Sequence, residues 1–136
     1  MRKTYLSATL FFSIWALSCS SNERTVEPKL SSIQREIFDK NCNAGSCHGS
    51  GMKGGLSLVA GNSYRQLLGI AGSIDKKNVP AFVRVFPGNP DSSFLYIKIT
   101  SPDTNQGEIM PRGNDRLSPE KIKSIRQWIL DGARDN

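Results

Sequence analysis

Cys42, Cys47 and His48 form the group of side chains in this sequence that is best suited to chemistry. Four residues separate the two cysteines, and the histidine follows the second one directly. A cysteine pair followed at once by a histidine is the signature of covalent haem c attachment, usually with two residues between the thiols. The thiols form thioethers with the haem vinyl groups, and the histidine binds the iron. The pattern therefore predicts one covalent haem c with His48 as an axial ligand.

The longer spacer of this motif is made mostly of small residues. Ala44, Gly45 and Ser46 would let the two extra residues loop outward while both thiols still reach the haem. Two other uses of the cysteines remain open from the residues alone: a disulfide that closes a small loop, or a zinc site. Zinc is the less favoured, because structural zinc takes four nitrogen or sulfur ligands and the chain has a single histidine.

Met110 is the predicted second axial ligand of the iron. Methionine opposite histidine is usual in electron-carrying cytochromes c, and this pair of ligands raises the reduction potential. Met52 lies four residues after His48, too close to reach the opposite face of the ring, whereas Met110 lies 62 residues after it. Pro111 disfavours helical backbone at Met110, which suits a loop that presents the thioether inward. Core packing is the alternative role for this methionine.

Apolar residues at helical spacing predict three short helices that would position these groups. Each follows a polar residue that is able to cap its first turn. The predicted caps are Ser31 or Ser32, Asn62 or Ser63, and Asp91 or Ser92. The first helix runs up to Cys42, the second stops at Gly69 and the third ends before Pro102.

A fourth helix has the clearest signals. Ser118 is its predicted cap, Pro119 fits the first helical position and Gly132 fits the end. The apolar stripe between them consists of Ile122, Ile125, Trp128 and Ile129. Glycine- and proline-rich loops separate the helices, and only the stretch 83–86 favours a short extended piece. The sequence thus predicts an all-α domain of a few short helices with long loops around one haem.

Residues 1–18 have the pattern of a signal peptide. Arg2 and Lys3 form a basic start, and Thr4 to Leu17 form a mostly apolar run of 14 residues. Such a run is too short for a membrane-spanning helix, which needs about 20 residues. The pattern therefore predicts export to the periplasm or cell envelope. A mature helix packed in a core is the alternative.

Cys19 is the predicted site of lipid attachment. The segment 16–19 resembles a lipoprotein processing box, in which cleavage leaves a cysteine that carries the lipid. Cleavage as an ordinary signal site would instead give a soluble periplasmic protein that starts at Cys19. Residues 19–29 then form a polar tether, and residues 30–136 form the haem domain. Ser20 follows the anchor where an aspartate would favour the inner membrane, so the outer membrane is the favoured location.

The predicted mature chain is mildly basic. Loss of residues 1–18 removes two basic side chains and lowers the formal net charge from +6 to +4. The lysines and arginines are scattered and form no stripe typical of nucleic-acid binding. We therefore expect no nucleic-acid partner and interpret the charge as a solvated surface. Attraction of an acidic partner is the alternative.

Several segments together resemble known cytochromes. The order of a haem-attachment motif, a Met-Pro loop and a C-terminal helix is similar to class I cytochromes c. The segments 53–58 and 87–95 are similar to bacterial domains of the type called planctomycete cytochrome C. This resemblance covers essentially the whole chain after the tether. It implies a cytochrome c-like fold whose first and last helices pack against each other, with Phe38 and Trp128 as candidates for that contact.

An electron-transfer protein is the function that the predicted ligands favour, and not an enzyme. Its partners would be a redox protein and, through the lipid, a membrane; the oligomeric state stays open. Two other functions remain possible from the residues. A haem-based sensor or enzyme would need an open position on the iron. A haem-free envelope module would instead use Cys42 and Cys47 as a disulfide.

Overall fold

The structure is a computed structural model, and it describes residues 25–68, 71–72, 82–103, 106–113 and 116–136. The predicted signal peptide, the lipid-attachment site Cys19 and the predicted helix end at Gly69 lie outside the described residues. Helices make up most of the ordered backbone, with almost no strand, which agrees with the predicted all-α class. None of the described helices combines the length and apolar character needed to cross a membrane.

Four helices in the described part of the chain position the other residues. α1 begins as an α-helix over Leu30–Ile33 and continues as a π-helix over Gln34–Cys42. The others are α2, Ser63–Leu67, α3, Phe94–Thr100, and α4, Pro119–Leu130. Single 3-10 turns occupy Lys53–Gly55 and Pro90–Ser92. The π-helical hydrogen bonds span five residues, as shown by Asn43 N, which donates to Phe38 O at 2.9 Å directly after the last π-helical residue. Gln34 N still donates to Leu30 O and Ser31 O. π-Helical turns are rare and occur often at functional sites, and this one ends at the first cysteine of the motif.

The strands among the described residues are two pieces of two residues each. β1, Ala71–Gly72, pairs antiparallel with β2, Phe82–Val83. A parallel bridge joins Leu68 to Val85. The extended piece predicted at 83–86 is therefore present only at Val83 and at the bridging Val85, and the strand starts one residue earlier than predicted.

The predicted cap of α1 is wrong. Lys29 occupies the cap position, and Ser31 and Ser32 lie inside the helix. Asn136 supplies the missing acceptors, because its side-chain oxygen accepts from Leu30 N at 2.9 Å and its carbonyl accepts from Ser31 N at 2.8 Å. The first N–H groups of a helix need such partners, and here they come from 106 residues away in sequence.

Two of the other predicted caps have the right position but make no capping bond. Asn62 and Ser118 precede α2 and α4, but neither side chain accepts from a backbone N–H of the first turn. Ser93, and not Asp91 or Ser92, precedes α3. Asn89 makes the capping bond in this region, accepting from Ser92 N at 3.1 Å over the 3-10 turn.

The end of α4 is as predicted. Gly132 adopts a φ of 93°, which favours glycine, and it is followed by Ala133 with a φ of 49°. Ala133 N donates to Trp128 O at 2.8 Å, and Gly132 N donates to Ile129 O at 3.0 Å. These bonds satisfy carbonyls of the last turn and turn the chain back over the core.

One buried apolar core joins all four helices. Ile33, Ile37 and Phe38 from α1 and Ile125, Trp128 and Ile129 from α4 are its fully buried members from the first and last helices. The two helices contact each other, and Lys121 Nζ of α4 donates to Asn41 Oδ1 at 3.0 Å. Phe38 and Trp128 belong to the same cluster.

Contacts with the helices already begin within the predicted tether. Val26 packs partly against the core, and its carbonyl accepts from Ser124 Oγ on α4.

Ser93 is a buried hydroxyl at the start of α3. It is fully buried, accepts from Phe86 N at 2.9 Å and donates to Asn89 O at 2.8 Å. The hydroxyl therefore joins the turn at 86–90 to the helix.

We expect Ser93→Ala to lower the free energy of unfolding by about 1–3 kcal/mol, because it leaves buried backbone groups without partners. Urea titration followed by circular dichroism measures this change. Ser92→Ala is the matched control, since Ser92 is exposed. Equal effects of the two substitutions would contradict the role of the Ser93 hydroxyl.

Glu36 carries a pH dependence of stability. Its side chain is 7% exposed and pairs with Arg35 and Lys40. Hydrogen bonds from Lys40 and then Arg35 lower the pKa of its carboxyl from 4.5 to about 2. The folded pKa is depressed, so the stabilisation is fully present above pH 4.5 and is lost as the pH falls toward 2.

We expect Glu36→Gln to remove this part of the acid dependence in unfolding measurements between pH 5 and 2. An unchanged dependence in that window would refute the assignment.

Candidate functional site

The cysteine–histidine motif folds into one compact loop after α1. His48 N donates to Cys42 O at 3.1 Å, and Cys47 N donates to Ala44 O at 2.7 Å. Lys53 N then donates to Cys47 O at 3.0 Å. These main-chain bonds bring the two ends of the four-residue spacer together, so that both cysteines and the histidine share one surface loop.

Two glycines make this loop possible. A Cβ atom on Gly49 would lie 2.2 Å from Asn43 O, and one on Gly51 would lie 2.6 Å from Gly45 O. Real Cβ atoms do not approach a carbonyl oxygen so closely. The chain after the histidine therefore packs directly on the spacer backbone, which only glycine permits at these two positions.

The two cysteines are free thiols in different surroundings. Cys42 is mostly buried and Cys47 is exposed. Burial raises the pKa of the Cys42 thiol to about 12, and the nearby charge of Lys121 offsets this only in part. A catalytic cysteine needs the opposite shift, because the thiolate is the nucleophile. Cys42 is thus unsuited to nucleophilic catalysis.

The His48 ring is oriented by a main-chain carbonyl. Its Nδ1 atom lies 3.0 Å from Lys53 O. Since a carbonyl only accepts, Nδ1 carries the proton, and Nε2 keeps its lone pair in the neutral ring. Burial lowers the pKa of the imidazole below 6.5, bonds to the backbone of Lys53 and Leu56 oppose this, and the charges of Arg84 and Lys98 lower it further. The neutral form is therefore favoured at pH 7, and in this form Nε2 has the lone pair that a metal would need.

The His48 backbone is connected to the core through Gln34. Leu58 N donates to His48 O at 2.7 Å, and Gln34 Nε2 donates to Leu58 O at 2.9 Å. The same amide accepts from Ser63 Oγ at 2.6 Å and donates to Asp39 Oδ1 at 2.7 Å. The buried amide thus links the histidine loop to α1 and α2.

Arg84 binds the loop that orients His48. Its guanidinium donates to Gly55 O at 3.0 Å and Gly54 O at 3.3 Å, directly after the carbonyl that contacts the imidazole. It also donates to the backbone and side chain of Gln66 at 2.9 and 3.0 Å. The residue is only 7% exposed, so the expectation of a merely solvated basic surface is wrong for Arg84.

Met110 lies on a separate loop that α3 contacts. Its N–H donates to Lys98 O at 2.7 Å, and its side chain is half-buried. Lys98 Nζ donates to Gln106 O at 2.9 Å and also to Glu108 O. The peptide between Met110 and Pro111 is cis. The backbone at Met110 is not helical, in agreement with the prediction from Pro111.

The structure brings Cys42, Cys47 and His48 together, and the described hydrogen bonds attach Met110 to α3 and not to that loop. The two loops are related through Lys98, which bonds the methionine loop and whose charge contributes to lowering the pKa of His48.

Sequence reasoning missed five residues that build the site: Gln34, Gly49, Gly51, Arg84 and Lys98. Two of them share a signal, since each is a charged residue between apolar ones. Arg84 lies between two valines and Lys98 lies between two isoleucines. A polar group in such a position is often buried against a specific partner.

No family model, no curated protein and no solved structure matches this chain. Within the described ranges, no three histidine, cysteine, aspartate or glutamate side chains are grouped as a metal site would require. The functional argument therefore rests on the residues and contacts given above.

We expect Gly49→Ala to destabilise the protein by about 1–3 kcal/mol, because the new methyl group overlaps the Asn43 carbonyl and the loop must shift. Denaturant unfolding measures this loss. Gly45→Ala is the matched control in the same loop, since its Cβ would find its nearest contact at 3.7 Å, on Ser50. A Gly49→Ala variant as stable as the control would contradict the close packing described here.

Proposed function

We propose that this protein is a monohaem c-type cytochrome that transfers electrons at the cell envelope. Cys42 and Cys47 would hold haem c as thioethers, and His48 and Met110 would be the axial ligands of its iron. The observation that carries the proposal is the hydrogen bond between His48 Nδ1 and Lys53 O.

That bond matches what a haem-ligating histidine requires. Metal-bound histidines almost always donate their second ring N–H to a carbonyl or carboxylate, which fixes both the tautomer and the ring orientation. His48 has this arrangement in a chain with no other histidine. The two residues that follow this carbonyl, Gly54 and Gly55, accept hydrogen bonds from Arg84, which fixes the backbone next to it.

The thiols also fit covalent attachment. Both are unpaired, they lie at the two ends of one folded loop, and the histidine follows the second directly. Burial raises the pKa of Cys42 to about 12, so it is a neutral thiol at pH 7. Cys47 is exposed, so a cofactor could approach it from solvent.

Met110 supports electron transfer over catalysis. When bound, a haem with histidine and methionine ligands cycles between two oxidation states at a raised potential. His48 and Met110 would hold the iron, and the surroundings that the chain supplies would set the potential. With Met110 as a ligand, no position on the iron would be left for a substrate.

The packing of the helices supports a cytochrome c-like fold within the all-α class. In such a fold the first and last helices pack against each other. Here α1 and α4 are in contact, and Phe38 and Trp128 lie in one buried cluster. The cysteine motif follows the first of these helices directly, as the proposed haem site requires.

The cellular setting is part of the same proposal. The signal pattern in residues 1–18 and the lipid on Cys19 would attach the domain to a membrane, with the outer membrane favoured. A redox protein would be its partner there. Cleavage without lipid attachment would give a soluble periplasmic carrier with the same site.

The absorption spectrum and intact mass of protein made with a periplasmic haem-attachment system test this function. We expect one covalent haem and a low-spin spectrum, because both axial positions are filled. Met110→Ala should turn the spectrum high-spin. Met52→Ala is the matched control, since Met52 is 46% exposed and adjacent to the histidine loop, and it should leave the spectrum unchanged.

Three results would overturn parts of the proposal. A mass lower by two hydrogens and without haem would identify a disulfide-stapled module. Ready binding of carbon monoxide by the reduced wild-type protein would indicate an open position, as in a sensor or enzyme. A high-spin Met52→Ala variant would show that Met52, and not Met110, is the second ligand.

A further inference from the structure

Lys98 makes three hydrogen bonds to a single loop. Its ammonium donates to the carbonyls of Gln106 and Glu108, and its own carbonyl accepts from Met110 N at 2.7 Å. The side chain therefore spans the segment that precedes the methionine, while the backbone bonds the methionine itself. In the described part of the chain, Met110 is connected to α3 through this lysine.

The surroundings of the ammonium are unusual for a lysine. It is half-buried, and it lies 5.9 Å from the centre of the Phe94 ring, within the range of a cation–π contact. Desolvation by burial lowers its pKa from 10.5. The charge of Arg112 lowers the pKa further and the carboxylate of Glu108 partly offsets this. In the described part of the chain, the ammonium contacts two main-chain carbonyls and an aromatic face.

Among the described residues, few other hydrogen bonds fix the shape of this loop. Residues 107–113 contain no helix or strand, and Gly107 and Gly113 adopt φ values of 76° and 89°. The ion pair between Arg112 and Glu108 has both side chains more than two-thirds exposed, so it contributes little. A segment of this kind orders only through bonds to its neighbours, because loop carbonyls otherwise prefer water.

We propose that Lys98 is the positioning residue for Met110, and that its two hydrogen bonds to the carbonyls of the loop set the orientation of the thioether. This inference rests on the proposed haem function. It adds Lys98 as a residue that orients the Met110 side chain, a role that neither the cysteine–histidine motif nor the resemblance to cytochromes contains. Lys98 touches neither haem nor substrate in this role. It acts through the loop alone.

The test compares haem-loaded Lys98→Leu, Lys98→Arg and wild-type proteins. Leucine keeps an apolar stem without introducing a new sulfur ligand, and arginine keeps a cation that can bind carbonyls. Lys123→Leu is the matched control, since Lys123 is an exposed lysine on α4. The ferric absorption band of thioether-bound iron shows whether Met110 is bound. Carbon monoxide titration of the reduced protein measures the fraction of molecules with an open position on the iron.

We expect Lys98→Leu to weaken the absorption band of the thioether-bound iron, because hydrogen bonds from a charged donor stabilise the loop with Met110 bound. The apparent affinity for carbon monoxide should rise about tenfold, because it increases in proportion to the fraction of protein whose iron lacks the thioether. Lys98→Arg should recover most of the band, and Lys123→Leu should match the wild type. An unchanged band and affinity in Lys98→Leu would overturn the inference. A high-spin Lys98→Leu protein beside a low-spin Met110→Ala protein would make Lys98 itself the ligand, and would overturn it equally.

Hydrogen exchange separates this inference from the proposed function. The Met110 N–H donates to Lys98 O at 2.7 Å. Its exchange rate can be measured in the chain as it is purified, with or without attached haem. Faster exchange in Lys98→Leu than in Lys123→Leu supports positioning by the ammonium, and equal rates overturn it. A wild-type chain without covalent haem refutes the proposed function alone, and the exchange result still decides the role of Lys98.

Discussion

The buried side chain of Gln34 is the contact on which the histidine loop depends. Its amide bonds the Leu58 carbonyl, the Ser63 hydroxyl and the Asp39 carboxylate, and Leu58 in turn bonds the His48 carbonyl. A buried amide with unsatisfied groups costs more than an apolar residue, so all of these partners must be in place together. Among the described residues, every buried side-chain nitrogen and oxygen has a partner. The motif is therefore attached to the core by polar bonds that have few alternative arrangements.

Cations bonded to main-chain carbonyls are the second feature of the site. Arg84 binds the loop after the histidine, and Lys98 binds the loop before the methionine. Irregular loops contain carbonyls without regular partners, and a long basic side chain from a neighbouring element can satisfy two at once. The arrangement also leaves two positive charges near the imidazole, where they favour its neutral, metal-binding form. The same bonds thus shape the loops and set the electrostatics around them.

The sequence predicted the helices better than their ends. The stripe of α4, its proline at the first position and its glycine stop are all present, because they depend on local geometry. The cap of α1 could not be predicted, since its acceptors come from Asn136 at the other end of the described chain. Ser93 likewise serves the turn before α3 and not the first turn of that helix. A polar residue near a helix start has several possible partners, and packing selects among them.

The chain by itself determined the residue types of the site and their order. The spacing of Cys42, Cys47 and His48 and the Met-Pro pair can be recognised without coordinates, because the chemistry depends on the side chains themselves. The tertiary structure alone decided which tautomer His48 adopts, that Gly49 and Gly51 must lack a Cβ, and that Arg84 is buried against backbone carbonyls. The first two facts depend on how a short loop folds, and the third depends on atoms about 30 residues apart in sequence. Sequence does not reveal either, since a main-chain carbonyl has the same chemistry in every residue. Only the fold determines which carbonyl each donor reaches.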